Sequence, residues 1–132
     1  MKGYVVQLEE ATRKNEHFRQ VLFTATHNQL VLMNLKPGEE IGEETHDLDQ
    51  YIRFEAGKGS VVMDGRSHAV GDGVAVVIPS GTRHNVINVS KTEDLKLYSL
   101  YSPPEHKDGT LHKTKKEADA DEHHHFDGKT SA

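Results

Sequence analysis

The sequence predicts an all-β domain in which antiparallel strands form a sandwich or barrel. Short apolar or alternating segments recur about every 8 to 12 residues, and turns rich in Gly, Pro and Asn separate them. Helical periodicity is almost absent. A chain of 132 residues is the size of one domain and buries about two thirds of its unfolded surface without needing a metal or disulfides.

The N-terminal part predicts a strand, a polar connection and a hairpin. Residues 4–8 form a short β-like run, and residues 9–16 are polar and suit a helical turn or a loop. Two β-branched and Leu-rich runs follow, at residues 18–26 and 29–35. Because only His27-Asn28 separates these runs, they predict a hairpin with a tight turn.

The central part predicts more antiparallel strands. These strands are expected at residues 51–55, 60–63, 66–70, 74–78, 84–89 and 95–101. Asp64-Gly65 is a dipeptide favoured in two-residue hairpin turns, so it joins the second and third of them. Residues 74–78 are continuously apolar, which predicts a strand covered on both faces. Gly57 and Gly73 are expected at turns that need positive φ, and Asn88 is expected to have a structural role.

Composition divides the chain into a barrel domain at residues 1–104 and a charged tail at residues 105–132. The apolar residues of the tail are only Leu111, Ala118, Ala120, Phe126 and Ala132. A short helix is predicted at residues 114–122, with Thr114 as its cap and Glu117 three residues later. The rest of the tail is expected to hang loose in solvent, and no specific role is expected for His106, His112 or the run 123–125.

The charge and the residue types exclude several classes of partner. The net charge is −5 without a clustered basic face, which argues against nucleic acid or an anionic membrane as a partner. The absence of cysteine excludes disulfides and Cys-based zinc sites. The N-terminus lacks the apolar run of a signal peptide, and no segment approaches the ~20 apolar residues of a membrane span, so we expect a cytoplasmic protein. A small metabolite is the expected ligand or substrate.

A polar stretch at residues 44–50 contains the strongest candidates for chemistry. If it were a strand, Glu44, His46 and Gln50 would project to one face, because side chains alternate along a strand. A carboxylate, an imidazole and an amide oxygen are ordinary ligands of a divalent cation, but three ligands are rarely enough. His84 is the candidate fourth ligand. The alternative is that these residues belong to a solvated, charged loop.

Two spaced patterns contain these four residues. In the first pattern, five residues separate Gly38 from Glu44-x-His46. Three residues then separate His46 from Gln50, and six separate Gln50 from Gly57. In the second, five residues separate Gly73 from Pro79-x-Gly81, and His84 and Asn88 follow after two and three more. With these motifs the chain resembles the cupin superfamily over residues 30–104. The second motif matches at every position, whereas Glu44 and Gln50 replace the His and Glu usual in the first.

The resemblance implies a double-stranded β-helix, a jelly-roll barrel, with a divalent transition metal inside it. Glu44, His46, Gln50 and His84 are the implied ligands, and Fe, Mn, Ni and Zn are the metals that such ligands favour. Both replacements are oxygen donors and the formal ligand charge stays at −1, which favours retention of the metal. The alternative is an empty, polar barrel mouth, since some cupins with altered ligands have lost the metal.

The resemblance also limits the function. It implies a metalloenzyme of oxygenase or isomerase type acting on a small polar metabolite, with no catalytic residue assigned. The alternative is a non-catalytic module that binds a sugar or a small acid. A homodimer is expected, because many small cupins pair through their strands and the N-terminal strands are natural edge elements.

Overall fold

The computed structural model describes all residues from 1 to 132 and contains nine strands and two short helices. In chain order these are α1 (Leu8–Lys14), β1 (Arg19–Thr24), β2 (Gln29–Leu35), β3 (Asp49–Ala56), β4 (Lys58–Met63), β5 (Arg66–Gly71), β6 (Ala75–Ile78), β7 (His84–Asn88), β8 (Leu95–Ser102), β9 (Leu111–His112) and α2 (Lys115–Ala120). Neither helix has the length and apolar character needed to cross a membrane.

The strands form two antiparallel sheets that face each other. One sheet has six strands in the order β6-β3-β8-β2-β1-β9, and the other has three in the order β5-β4-β7. The chain passes from the first sheet to the second at Gly57, where φ is +91° and a Cβ atom would lie 2.3 Å from the carbonyl oxygen of Asp94. Only glycine fits this crossing. The predicted all-β jelly-roll is confirmed.

The core lies between the two sheets and is built by strand alternation. In β3, Ile52 and Phe54 are fully buried in a cluster of 17 apolar residues, while Tyr51 and Arg53 face outward and are partly exposed. The hairpin between β4 and β5 has positive φ at both Asp64 (47°) and Gly65 (82°), as a primed turn requires. The predicted β1–β2 hairpin is also present.

Two local predictions are wrong. No strand forms at residues 4–8; instead α1 begins at Leu8, with acidic residues in its first turn and basic residues in its last, an order that stabilises a helix dipole. Strand β6 is not covered on both faces, because Val77 is 63% exposed. The physical reason is that the outer face of the six-stranded sheet meets solvent here, as it does at Tyr51, the partner of Val77 on β3.

The expectation of a loose C-terminal tail is wrong as well. His106, His112 and Ala118 are buried, and β9 pairs with β1 at Arg19 and Gln20. Within the segment 114–122, α2 begins after Thr114, whose hydroxyl accepts a hydrogen bond from the backbone N–H of Glu117 (3.1 Å).

Besides the apolar contact of Ala118 with the core, polar contacts hold the tail to the barrel. The buried amide of Gln29 donates to the carbonyl oxygen of His106 (2.7 Å) and to the hydroxyl of Thr24 (2.9 Å). Its oxygen accepts from the backbone N–H groups of His106 (3.0 Å) and Glu105 (3.3 Å). Because β9 pairs with β1, the tail also covers the outer edge of β1, which is therefore not a free edge for the expected dimer.

Candidate metal site

Glu44, His46 and His84 converge at one end of the barrel. One ligand atom from each residue lies within 4.8 Å of those of the other two, so the three can hold a metal ion. Segment 44–46 is not continuous with β3, which begins only at Asp49, so residues 44–50 do not form one strand. It is held instead by a two-way backbone bridge between Glu44 and His84 (2.8 and 2.9 Å).

His84 presents its outer nitrogen as a lone-pair donor. Its ring is buried at the start of β7, and Nδ1 lies 2.9 Å from the carbonyl oxygen of Thr82. Because a carbonyl can only accept, Nδ1 must carry a proton, so Nε2 is the nitrogen that offers a lone pair in the neutral ring. This is the arrangement in which metal-binding histidines are usually held.

His46 lies between two carboxylates. Its Nε2 is 3.4 Å from Glu44 Oε2, and its Nδ1 is 3.6 Å from Glu105 Oε2. Burial lowers the pKa of His46, and the negative charge of Glu105 partly offsets this effect. The ring is therefore biased toward the neutral form that binds metals.

The carboxyl group of Glu44 lacks a fixed cationic partner of its own. Burial raises its pKa, while the positive charge of Arg19 acts in the opposite direction. The side chain is 37% exposed, so the carboxylate is only partly desolvated, and a bound dication among Glu44, His46 and His84 would provide the cationic partner that it lacks.

Gln50 is oriented by hydroxyl groups on the neighbouring strand β8. Its Nε2 donates to Ser99 Oγ (3.1 Å) and to the hydroxyl of Tyr101 (3.3 Å), whose ring centroid lies 6.3 Å from that of His46. The amide oxygen Oε1 is buried and has no hydrogen-bond partner. Buried polar atoms are rarely left unpaired, so this oxygen fits the predicted role of a ligand. Coordination by Gln50 itself stays a prediction.

Sequence reasoning missed the residues that surround the site. Glu105 lies in the tail and carried no signal, because the segment was expected to be loose. Arg19 is 6% exposed and shares a strand face with the core residue Val21, so the alternation of β1 was a signal that could have identified it. Tyr101 shares the buried face of β8 with Ser99 and Leu97, so the alternation of β8 was the corresponding signal for it.

The histidines of the tail form a network against the barrel, contrary to the expectation that they have no specific role. His112 donates from Nε2 to Asp121 Oδ2 (2.9 Å) and accepts at Nδ1 from the Arg19 guanidinium (3.2 Å). His106 and His124 face each other through their Nδ1 atoms (3.0 Å). Burial lowers the pKa of His106 well below its ordinary value and that of His124 to about 4, so both rings are neutral near pH 7.

Comparison with known proteins agrees with this architecture. A model of the cupin domain family matches residues 31–101, more than half of the chain. The uncharacterised protein YrkC of Bacillus subtilis strain 168 is 47% identical over 128 residues, a match that covers 92% of this chain and 68% of YrkC. The uncharacterised protein L612 of Acanthamoeba polyphaga mimivirus is 46% identical over 113 residues, covering 82% of this chain and 70% of L612.

Solved structures show the same fold. The crystal structure of BH2720 from Bacillus halodurans superposes with a TM-score of 0.87 at 44% identity and covers 91% of this chain and 96% of that one. KdgF from Halomonas sp. superposes with a TM-score of 0.60 at 22% identity over 64% of this chain and 76% of its own, a likeness of fold alone.

Proposed function

Because this chain belongs to the cupin family and brings Glu44, His46 and His84 together, we propose that it is a metal-dependent enzyme acting on a small polar metabolite. The observation that carries the proposal is the convergence of two imidazoles and one carboxylate within 4.8 Å. Two histidines and one carboxylate form a ligand set that leaves positions open for a substrate.

The proposed ligands are Glu44, His46, Gln50 and His84, and the proposed metal is Fe, Mn, Ni or Zn. Mixed nitrogen and oxygen donors favour these ions over Mg or Ca. When bound, such an ion acts as a Lewis acid that polarises a carbonyl oxygen or lowers the pKa of a bound water. The proposed reaction class is oxygenation or isomerisation.

The protein's own groups would keep the ligands in place. The Thr82 carbonyl holds His84 in one tautomer, and the hydroxyls of Ser99 and Tyr101 hold the Gln50 amide. Glu105 lies beside the Nδ1 atom of His46 and serves as its positioning residue. Outer groups of this kind commonly change metal affinity by about 10–100-fold when they are removed.

Metal uptake by single variants tests the proposal. We expect His84→Ala to lower the affinity for Zn(II) and Mn(II) by more than about tenfold, as measured by elemental analysis after anaerobic reconstitution and by calorimetry. His68→Ala is the matched control, because His68 is exposed on β5, and it should bind as the unmodified protein does. Equal affinities of the two variants, or no uptake by the unmodified chain, would contradict the proposal.

The homodimer is also proposed, but along a different edge. Strand β6 ends the six-stranded sheet, so pairing of two copies there would cover an unpaired strand edge. Light scattering at micromolar concentration tests this, and a monomer mass would exclude it.

A further inference from the structure

A cavity lies beside the candidate metal site, between the barrel and the C-terminal segment. Its volume is about 190 Å³, and its lining includes Glu44 from the metal site, Arg19 from β1 and His124 from the tail. Ligand pockets for drug-sized molecules start at about 300 Å³, so this cavity suits a smaller molecule. Because Glu44 both lines the cavity and is one of the three converging ligands, the cavity adjoins the candidate metal site.

Arg19 is a buried cation without an anionic partner. Its Nη1 donates to Nδ1 of His112, which is neutral in this hydrogen bond, and no carboxylate lies within ion-pair distance. Nε is buried and has no partner, and Nη2 makes no hydrogen bond to the protein. By contrast, Arg13 and Arg83, which are exposed, and Arg53, which is partly exposed, each contact a carboxylate.

The other charges around the cavity do not neutralise Arg19. Among the lining carboxylates, Glu43 pairs with Arg83 (3.2 Å) and Asp119 pairs with Lys115 (2.9 Å). Glu44 remains, but a bound metal would take up its charge. The cavity wall would then carry the full charge of the guanidinium next to a dication, and burying such charges unpaired is costly.

We infer that Arg19 is the anion-binding group of this cavity and that the substrate is a small carboxylic acid. The free edge of the guanidinium, formed by Nε and Nη2, matches the two oxygens of a carboxylate in a bidentate pair. The substrate's other end would then lie toward Glu44 and the metal. This assignment of substrate class rests on the proposed function, whereas the anion site itself does not require the metal.

Nuclear magnetic resonance on the metal-free, ¹⁵N-labelled full chain tests the site directly. The probes are pyruvate, malonate, the neutral analogue pyruvamide and inorganic phosphate. Pyruvate or malonate should shift the Arg19 Nε–H resonance in a saturable way, while the Nε–H of Arg53, already paired with Glu55 (2.5 Å), should not move. Pyruvamide should bind at least about tenfold more weakly than pyruvate, because a neutral amide cannot form the charge-assisted bidentate pair with the guanidinium.

Variants give the second measurement. Arg19→Gln should weaken pyruvate binding at least about tenfold, and Arg53→Gln should leave it unchanged. Because Arg19→Gln can also loosen the tail by removing the bond to His112, Arg19→Lys is included. Lysine keeps the positive charge but lacks the planar pair of N–H donors, so this variant should bind pyruvate with intermediate affinity.

Several outcomes would overturn the inference. One is an Arg19 Nε–H resonance that does not shift when either acid is added, and another is equal affinity for pyruvate and pyruvamide. The others are unchanged pyruvate affinity in Arg19→Gln and binding of phosphate in place of the carboxylates. Zn(II) titrations of the same samples separate the two proposals. In the unmodified chain, pyruvate binding at Arg19 without any Zn(II) uptake would contradict the proposed enzyme and leave the anion site standing.

Discussion

Gln29 connects the barrel to its C-terminal segment, so replacing it should release that segment. The side chain is fully buried and is the hydrogen-bond partner of both the N–H and the C=O of His106. The change Gln29→Leu keeps a similar side-chain volume and creates no large cavity. Its cost therefore comes from backbone groups that lose their partner.

The magnitude follows from the number of groups orphaned. His106 is 3% exposed, so its N–H and C=O can reach no water while the segment stays in place. An unsatisfied buried group costs about 1–3 kcal/mol, so the two His106 groups alone give about 2–6 kcal/mol, and the Glu105 N–H and the Thr24 hydroxyl, which also lose their bonds to Gln29, add to this. Detachment of residues 105–131 limits this cost, because opening exposes both groups to water. We therefore expect a loss near the lower end, about 3 kcal/mol.

Urea unfolding and hydrogen exchange measure the two parts of this effect. With a slope of about 2 kcal/mol per molar urea, a loss of 3 kcal/mol lowers the midpoint by about 1.5 M. Backbone amides of residues 105–112 should exchange faster, because the segment opens more often. Gln20→Leu is the matched control, since Gln20 lies on the same hairpin and its side chain makes no hydrogen bond. Equal midpoints and equal exchange in the two variants would refute the anchoring role of Gln29.

Three further predictions concern acid, the sheet crossing and the metal. The pKa of His124 is lowered from 6.5 to about 4 in the folded protein, so unfolding takes up a proton and stability should fall as the pH drops from about 6.5 toward 4. In urea titrations at stepped pH, His124→Gln should make stability less dependent on pH, and an unaltered dependence would contradict this prediction. Gly57→Ala should destabilise the protein more than Gly73→Ala in thermal melts. Both residues have positive φ, which costs an alanine about 1–2 kcal/mol, but only at Gly57 would the new Cβ also meet a backbone oxygen, that of Asp94. Equal losses of stability would contradict this geometry. Chelator treatment of metal-loaded protein should lower the melting temperature, since a ligand at 1,000 times its Kd stabilises by about 4 kcal/mol, and an identical melt would count against a bound metal.

Local sequence rules predicted most of the barrel. Alternation identified the buried face of β3, and Asp64-Gly65 identified the turn between β4 and β5, because strand parity and turn φ angles depend on neighbouring residues only. The same rules failed at β6. Its apolar run looks like a strand covered on both faces, but coverage depends on the position of the strand in the sheet, which leaves Val77 exposed.

The candidate site was predicted in part for a similar reason. The spacing around His46 and His84 identified two residues that the fold brings together with Glu44. Glu105 was missed, because its contact with His46 comes from a segment whose polar composition resembles a solvated tail. That segment is held mainly by hydrogen bonds, to Gln29 and between β9 and β1, with Ala118 as its one side chain in the apolar core, so its composition gives little indication that it is buried.

The sequence by itself therefore determined the all-β class, the family resemblance and the residues His46, His84 and Glu44 as candidate ligands. These depend on residue type and short spacings, which are properties of the chain alone. Only the tertiary structure decided that the C-terminal segment covers the barrel and leaves Arg19 buried without a carboxylate. The contact between Arg19 and His112 spans 93 residues, and whether a charged side chain is buried or solvated depends on which distant segment lies over it.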